Sequence, residues 1–491
     1  MRLIDDLLNK YTMYFVTLWV LRSLVGISVI LSLAGILPYN PLNLIFSFCL
    51  LVAASFSFNK IFAGILKVPA NKESYAITAL ILYLILLPVD SISSAVTLIL
   101  ASFLAMASKY FVTINRRHIF NPAAFSLVIL DIIGSPQVQW WVGSKAMLPF
   151  VLIAGLLVVR KVRKFQMVFI FLIVGVLSFS AFSAINGADI LKLLPQLITS
   201  WPILFMGTIM LVEPFTSPPR KNQQIFYGGL VGFLTGVQFQ IGPIFNTSEL
   251  ALCIGNIFSY IVSFRKRVTL IFEEKREMAP GIFEFLFRPD KKFAFLPGQF
   301  MEWTFSHPNP DNRGVRRYFS LASSPTEETI RLGIRFDQEK GSSYKKNLMS
   351  LNIGDKLYAG SLAGDFVLPK DKTQKLAFIA GGIGITPFCS MIQYLIDQKE
   401  KRDIILLYAC TNESDFVYRS TFEQAQKDIG MKLLYITKRL DSIQIKKEVP
   451  DYKERKFYLS GPKGMVDNNK SALTTIGVQP YKIVTDYFPG Y

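Results

Sequence analysis

The stretch AGGIGITP, Ala380 to Pro387, holds the residues best suited to grip a phosphate group. An apolar run precedes it and an amphipathic one follows, so it reads as a strand, a turn and a helix start. Thr386 is the expected N-cap, and Pro387 falls in the first turn. Gly381, Gly382 and Gly384 let the backbone come close to a pyrophosphate at the positive end of that helix. The full G-x-G-x-x-G spacing is absent, because Pro387 stands where the third glycine would be. A glycine-rich turn alone is a modest signal.

Asp90, Asp131, Glu213 and Glu249 lie in or beside long apolar runs. Charge at membrane depth is costly and often functional. Each acid reads either as part of a site or as an interfacial cap; Glu213, at a Pro-broken helix end beside Arg220 and Lys221, is the first choice. His118 and His307 are the only histidines, and Cys49, Cys253, Cys389 and Cys410 are scattered. No metal-ligand set, iron–sulfur spacing or disulfide framework follows from these.

The elements that must carry these residues divide sharply. The 491 residues are 51% hydrophobic, but residues 1 to 264 hold only 17 of the 53 Lys/Arg and 8 of the 35 Asp/Glu. The front therefore reads as a polytopic α-helical membrane domain and the back as a soluble one. The net charge of +18 is explained by basic residues between apolar runs, so no nucleic-acid partner is expected. Ten apolar segments are expected near 13–37, 43–58, 75–90, 94–108, 119–134, 146–160, 166–185, 193–212, 224–242 and 246–264. Basic residues crowd alternate loops, which places both termini in the cytoplasm of a multi-pass cell-membrane protein. Two Asp ahead of the first run, with no small-residue cleavage site after it, argue against a removed signal peptide.

Ile-Phe-Asn occurs at Ile119 and again at Ile244. With the expected sidedness, Asn121 and Asn246 begin helices that enter from opposite faces. VDSISS (from Val89) and VEPFTS (from Val212) each place an acid before a Ser/Thr-rich turn. Both pairs fit an inverted repeat of two five-span halves. The helix after Asn121-Pro122 is short for a ~30 Å core: either it starts inside the bilayer, aimed at a cavity or anion, or it is a tilted span.

Past Arg267, alternating apolar and polar runs suggest a small β-barrel, and from Lys375 a strand–helix alternation begins. RRYFSLASSP, GSSY (Gly341 to Tyr344), GGIGITP and SGPKGM (Ser460 to Met465) occur in that order. Residues 268–491 thereby resemble the ferredoxin-NADP reductase-type family of FAD- and NAD(P)H-binding modules. The resemblance implies a flavin phosphate on Arg317, an aromatic from Tyr318-Phe319 on the ring, and Ser320 at flavin N5. It implies a second phosphate turn at Gly341, Ser342 and Ser343. It also implies nicotinamide-nucleotide contacts at Gly381, Gly382, Gly384, Thr386, Pro387, Gly461, Pro462 and Met465, with Ser460 near the nicotinamide. The cofactors carry the hydride chemistry, so no acid–base residue is required. Many relatives have Cys where Ser460 stands. Thr411 and Asn412 occupy positions where NADPH-users often place Arg, so NADH is favoured, with NADPH as the alternative. The closing DYFPGY, ending at Tyr491, resembles aromatic tails that cover the flavin; an untethered tail is the other reading.

RRHIFNPAAFSLVIL and VEPFTSPPRKNQQIFYGGLVGFLTG resemble the NqrB/RnfD family over residues 13–264. That family implies a membrane subunit of ion-pumping oxidoreductases with FMN on a threonine. Here INGAD puts Asp189 where the threonine would be, without a hydroxyl for that linkage; a noncovalent flavin or a quinone is the remaining reading. Haem-based reductases need paired histidines, and His118 stands alone. The expected architecture is a membrane domain (1–264), an FAD-binding β-barrel (268–370) and a Rossmann-like NAD-binding domain (375–491). The expected function is an NAD(P)H oxidoreductase passing electrons to a quinone, a flavin or a small redox protein, with ion coupling and further membrane subunits as implications of the resemblance. The rival is a transporter or anchor with a tethered ferredoxin, flavodoxin or flavin reductase.

Overall fold

The chain divides into two compact units, Met1–Arg265 and Lys266–Tyr491. The computed structural model describes residues 7–8, 11–67, 72–114, 117–190, 192–193, 203–242, 244–263, 267–307, 311, 315–337, 339 and 341–486. The DYFPGY tail past Asp486, with Tyr491, and residues 194–202 of the expected 193–212 segment lie outside the described residues.

The first unit is helical: α1 (Met13–Leu33), α2 (Pro41–Ile65), α3 (Lys72–Ile85), α4 (Ile92–Phe111), α5 (Pro122–Ile132), α6 (Leu148–Val162), α7 (Phe165–Ile185), α8 (Lys221–Gly236) and α9 (Ser248–Val262). Among the described residues α1, α2, α4 and α7 are long and apolar enough to cross a membrane. Their side chains are sorted in the sense a bilayer favours. Ser28, Ser47, Ser55 and Ser102 are buried, whereas Ile30, Leu42, Phe169 and Leu177 stand exposed. Helices α7 and α8 approach backbone to backbone. A Cβ at Gly228 would lie 2.4 Å from the Met167 carbonyl oxygen, and one at Gly232 2.5 Å from that of Phe171. A glycine every fourth residue makes this approach possible.

A two-residue antiparallel hairpin precedes each of α5 and α9: β1 (Thr113–Ile114) with β2 (Arg117–His118), and β3 (Gln240–Ile241) with β4 (Ile244–Phe245). Asn121 caps α5 as expected, its Oδ1 accepting from the Ala124 N–H at 3.1 Å, with Pro122 as the first helical residue. The expectation that Asn246 begins α9 needs correction. Thr247 is the cap, accepting from the Leu250 N–H at 3.3 Å. The Asn246 amide instead donates to the Leu234 and Val237 carbonyls at the end of α8. Those carbonyls have no helical N–H left to receive, so an amide beside them is better used there.

The second unit opens with six antiparallel strands in the order β8-β7-β10-β5-β6-β9. They are β5 (Val268–Ala279), β6 (Ile282–Pro289), β7 (Phe300–Thr304), β8 (Arg316–Ser320), β9 (Ile330–Arg335) and β10 (Lys356–Ala363), with α10 (Ser343–Met349) between the last two. Five parallel strands follow in the order β13-β12-β11-β14-β15: β11 (Leu376–Gly381), β12 (Ile404–Ala409), β13 (Lys432–Ile436), β14 (Lys456–Ser460) and β15 (Ile483–Asp486). Every residue of β11 is buried, as a central parallel strand covered on both faces requires. Its alternation splits the core. Leu376, Phe378 and Ala380 pack with α11 (Thr386–Asp397) and α12 (Arg419–Asp428). Ala377 and Ile379 pack with α13 (Ser442–Glu448) and α14 (Lys463–Thr475). The strand order reverses direction between β11 and β14, the switch point at which doubly wound sheets bind ligands beyond their carboxyl ends.

Candidate active site

Both glycine motifs end strands at that switch point. After β11, Gly382–Ile385 forms a tight 3₁₀ turn running directly into α11. Gly382 has φ +51°, a value that favours glycine. The turn corrects the expectation for Thr386. The capping position falls on Ile385, and the Thr386 hydroxyl donates back to the Ile383 carbonyl at 3.2 Å. Pro387 sits in the first turn of α11, as expected. The second motif leaves β14, with Pro462 immediately before α14. A Cβ at Gly384 would lie 2.5 Å from Gly461 Cα, and one at Gly381 2.1 Å from Met465 Sδ. The two loops abut because Gly384 and Gly461 put no side chain between them, and a glycine-lined backbone beside a helix start suits a dinucleotide pyrophosphate.

The strand period sets β8 apart into two faces. Arg317 is 2% exposed; its Nη2 donates to Asp311 Oδ1 at 3.1 Å, and its guanidinium stacks 5.2 Å from the Tyr344 ring. Phe319, on the same face, has its ring 5.9 Å from Tyr344. Asp311 also takes the Ser343 N–H at 3.1 Å, and the Ser343 hydroxyl is 3.1 Å from His307 Nε2. Ser342 caps α10 by accepting from the Lys345 N–H at 3.3 Å. Gly341 is held where a Cβ would meet the Asp337 carbonyl at 2.6 Å. Thus Arg317 and the GSSY turn, separate in sequence, are joined through Asp311, a residue that sequence reasoning missed. A buried guanidinium tied to a serine turn fits a flavin diphosphate.

On the other face of β8, the Tyr318 hydroxyl donates to Glu302 Oε2 at 2.9 Å. Ser320 Oγ lies 3.5 Å from Asp486 Oδ2. Asp486 in turn pairs in register with Ser460 across β14–β15. Asp486 thus lies beside Ser320 and on the strand next to Ser460, and burial pushes its carboxyl up to about 7. Asp486 was missed in the sequence; its signal was an acid closing the last strand just before the aromatic tail.

Thr411 and Asn412 follow β12 as expected, leading into the turn Glu413–Asp415. Two arginines reach this loop from elsewhere: Arg335 pairs with Asp415 at 3.4 Å, and Arg419 donates to the Glu413 carbonyl at 2.8 Å.

In the first unit, Glu213 is partnered differently from the sequence expectation. Its Oε2 accepts from Asn121 Nδ2 at 2.8 Å and from Thr216 Oγ1 at 3.1 Å. The cations that act on it are Lys109 and Lys164 rather than Arg220 and Lys221, because chain reversal brings α4 and α7 to it. Asp131 lies near Glu249, and Glu249 accepts from Trp140 Nε1 at 3.2 Å. Ser91 caps α4 by accepting from the Ser94 N–H at 3.2 Å, and the Asp90 N–H donates to Ser94 Oγ at 3.1 Å. Asp189 makes an exposed ion pair with Lys192 at 3.3 Å, and the His118 ring lies 5.7 Å from Phe215.

Fold and site together define, in the second half of the chain, an FAD- and NAD(P)H-binding oxidoreductase module of the ferredoxin-NADP reductase type. Residues 378–470 match the family model of the oxidoreductase NAD-binding domain. The chain is 28% identical over 233 residues to a flavohemoprotein of Bacillus cereus, covering 42% of this chain and 57% of that protein. It is 23% identical over 247 residues to flavohemoprotein A of Dictyostelium discoideum, covering 46% and 62%. The flavohem-like FAD/NAD-binding domain of a nitric oxide dioxygenase from Vibrio cholerae aligns over 46% of this chain and 99% of its own, at 20% identity and a TM-score of 0.40. The chain thus spans little more than half the length of the curated relatives it matches.

Proposed function

We propose that this chain is a multi-pass membrane oxidoreductase that takes electrons from NADH into FAD and delivers them to a membrane or trans-membrane acceptor such as a quinone or a second flavin. When bound, FAD accepts a hydride from the nicotinamide and releases the electrons singly or in pairs. The chain's own residues orient and shield. Arg317 and the GSSY turn hold the flavin diphosphate. The abutting loops at Gly381–Gly384 and Ser460–Gly461 receive the nucleotide pyrophosphate. Ser320 and Ser460 would lie beside the reacting rings, with Asp486 next to Ser320 as a polar anchor whose carboxyl burial pushes up to about 7. Thr411 and Asn412 stand where an arginine would meet a 2′-phosphate, which supports NADH, while Arg335 and Arg419, which reach the same loop, keep NADPH as the alternative.

The observation that carries the membrane part is the fusion of this module, in one chain, to a unit with four span-length helices and a repeated core. At an offset of 125 residues Asn121 corresponds to Asn246, and Asp131 to Asn256. The Asn121 N–H donates to Asn256 Oδ1 at 2.8 Å, and each of the two helices follows a two-residue hairpin. Both acid turns are also closed by the serine four residues on. Ser94 Oγ receives the Asp90 N–H, and Ser217 Oγ donates to the Glu213 carbonyl at 2.5 Å. These pairs support an inverted repeat of about ten spans, both termini in the cytoplasm, and the NqrB/RnfD likeness. The domains then run 1–264, 268–370 and 375–491.

The same repeat favours a second reading, a transporter or anchor with a tethered reductase. Purified chain in detergent, assayed for flavins per chain and for NADH-driven quinone reduction, separates the two. Quinone reduction lost on deleting residues 1–264, while ferricyanide reduction persists, supports the relay. Quinone reduction that survives the deletion makes the membrane half an anchor or a transporter.

A further inference from the structure

The four span-length helices contain few charges, and all but one lie near an end. Lys60 is within six residues of the end of α2, Lys109 is within three of the end of α4, and α7 has none. Arg22 is the exception, the tenth of the 21 residues of α1. At 1.5 Å per residue it stands roughly 14 Å into a hydrocarbon layer about 30 Å thick. Intramembrane charges normally face the bundle interior and pair there. Arg22 faces outward, on a stripe with Trp19, Ser23, Gly26 and Ile30, opposite the buried Leu21, Leu24 and Ser28. Its contact among the described residues is with the Trp19 ring, 5.7 Å from the guanidinium; no ion pair to it occurs among them. Beside this stripe runs a hollow between α1 and α6, lined by Trp19, Ser23, Ile27, Phe150 and Leu157. A Cβ at Gly26 would meet nothing within 4 Å.

We propose that this outward face of α1 is a lateral docking surface for a transmembrane helix of a different subunit that carries a carboxylate at mid-bilayer depth. The inference rests on the reading of α1 as a span. Charge complementarity selects the occupant. A buried guanidinium requires an anion with planar, two-point geometry, which a Glu or Asp side chain supplies. Lipid phosphates lie at the interface, out of reach of a residue at the midplane. A second copy of this chain fits poorly, because among the described residues no acid lies inside a span-length helix. Two such faces would set Arg22 against Arg22. The open Ser23 and Gly26 positions allow the close approach that helix pairs in lipid use.

The test uses the full chain in neutral phosphatidylcholine liposomes, with a donor dye on exposed Cys49. The probes are acceptor-labelled apolar transmembrane peptides of about 20 residues bearing a central Glu or a central Gln. Energy transfer to the Glu peptide should saturate at a peptide-to-lipid ratio at least about tenfold lower than for the Gln peptide. Arg22→Gln should abolish that preference and leave NADH–ferricyanide activity unchanged. Equal binding of the two peptides to a chain that resists alkaline carbonate extraction overturns the docking proposal alone. So does a preference that persists in R22Q, or an Arg22-dependent self-association without peptide, which would make a second copy the occupant. A wild-type chain that carbonate washes from the membrane overturns the span reading, and the docking proposal with it.

Discussion

The two halves of this molecule use glycine and buried polar groups to different ends. In the nucleotide unit, Gly381, Gly384 and Gly461 let two loops of the proposed nucleotide cradle meet, while the space beside Gly382 is open. In the helical unit, Gly228, Gly232 and Gly236 keep side chains out of a space that a neighbouring helix fills. Polar side chains differ in the same way. Arg317 on one face of β8 and Ser320 beside Asp486 on the other are assigned to a proposed ligand site, whereas Asn121, Asn256, Glu213 and Tyr227 mostly satisfy one another. Close backbone approach joins two loops of a proposed ligand site in one half and two helices in the other, so substitutions in the two halves should separate cleanly in what they damage.

The largest effect is expected at Gly384→Val. Its Cβ would start 2.5 Å from Gly461 Cα, so one of two backbone segments must move and the nucleotide cradle closes. NADH-driven flavin reduction, followed by stopped flow, should fall at least ~100-fold, since misplacement near 1 Å costs that much. Bound FAD content and the helical unit should be unchanged. Next is Arg317→Ala, which removes a charge-assisted partner worth roughly 1.5–3 kcal/mol. FAD binding, read by recovery of flavin fluorescence on release, should weaken about 10- to 150-fold, with the nucleotide loops intact. Loss of NADH binding without loss of FAD in R317A would break the assignment of the two sites.

The contrasting substitution is Gly232→Leu. A side chain there must displace the Phe171 carbonyl, 2.5 Å from the new Cβ, and overpacking of this kind costs typically 1–3 kcal/mol. The helical unit should melt earlier in detergent, while NADH–ferricyanide turnover by the reductase module stays at the wild-type rate. A parallel loss of both would show that the halves are not separable.

How much of this was legible in the sequence follows the same division. The reductase motifs were readable because each sits on a short, contiguous stretch whose glycines and serines have local causes. What joins them was not. Asp311, His307 and Asp486 are ordinary polar residues, and only the folding of distant strands brings them to Arg317, Ser343 and Ser320. In the helical half, composition exposed the apolar runs and the Asn121 cap. Thr247 displaced Asn246 as the second cap, because the orphan carbonyls of α8 compete for that amide. Glu213 was matched to sequence neighbours, whereas the chain reversals supply Lys109 and Lys164. The four-residue glycine spacing of α8 was visible in YGGLVGFLTG and went unused, since a close helix approach leaves no mark other than small residues.

The finest discrimination concerns Asp486, where the polar logic of the two halves meets in one residue. Its carboxyl, buried beside Ser320, has its pKa raised from the ordinary 3.8 to about 7. Folding therefore favours the protonated form. Between roughly pH 4 and 7 the folded state binds a proton that the unfolded chain has released, so stability of the FAD-free chain should decline as pH rises through that window and level off above it. Asp486→Asn keeps the shape, cannot ionise, and should flatten the decline in urea titrations between pH 4 and 8. In the loaded enzyme the same substitution should change the rate of flavin reduction only a few-fold at pH 6, where the wild-type group is protonated. The gap should widen above pH 7, where the wild-type carboxylate begins to place a charge beside Ser320. A urea midpoint that is equally pH-dependent in D486N would show that the acid stands outside the site and belongs, like the Asn121–Glu213 pair, to structure alone.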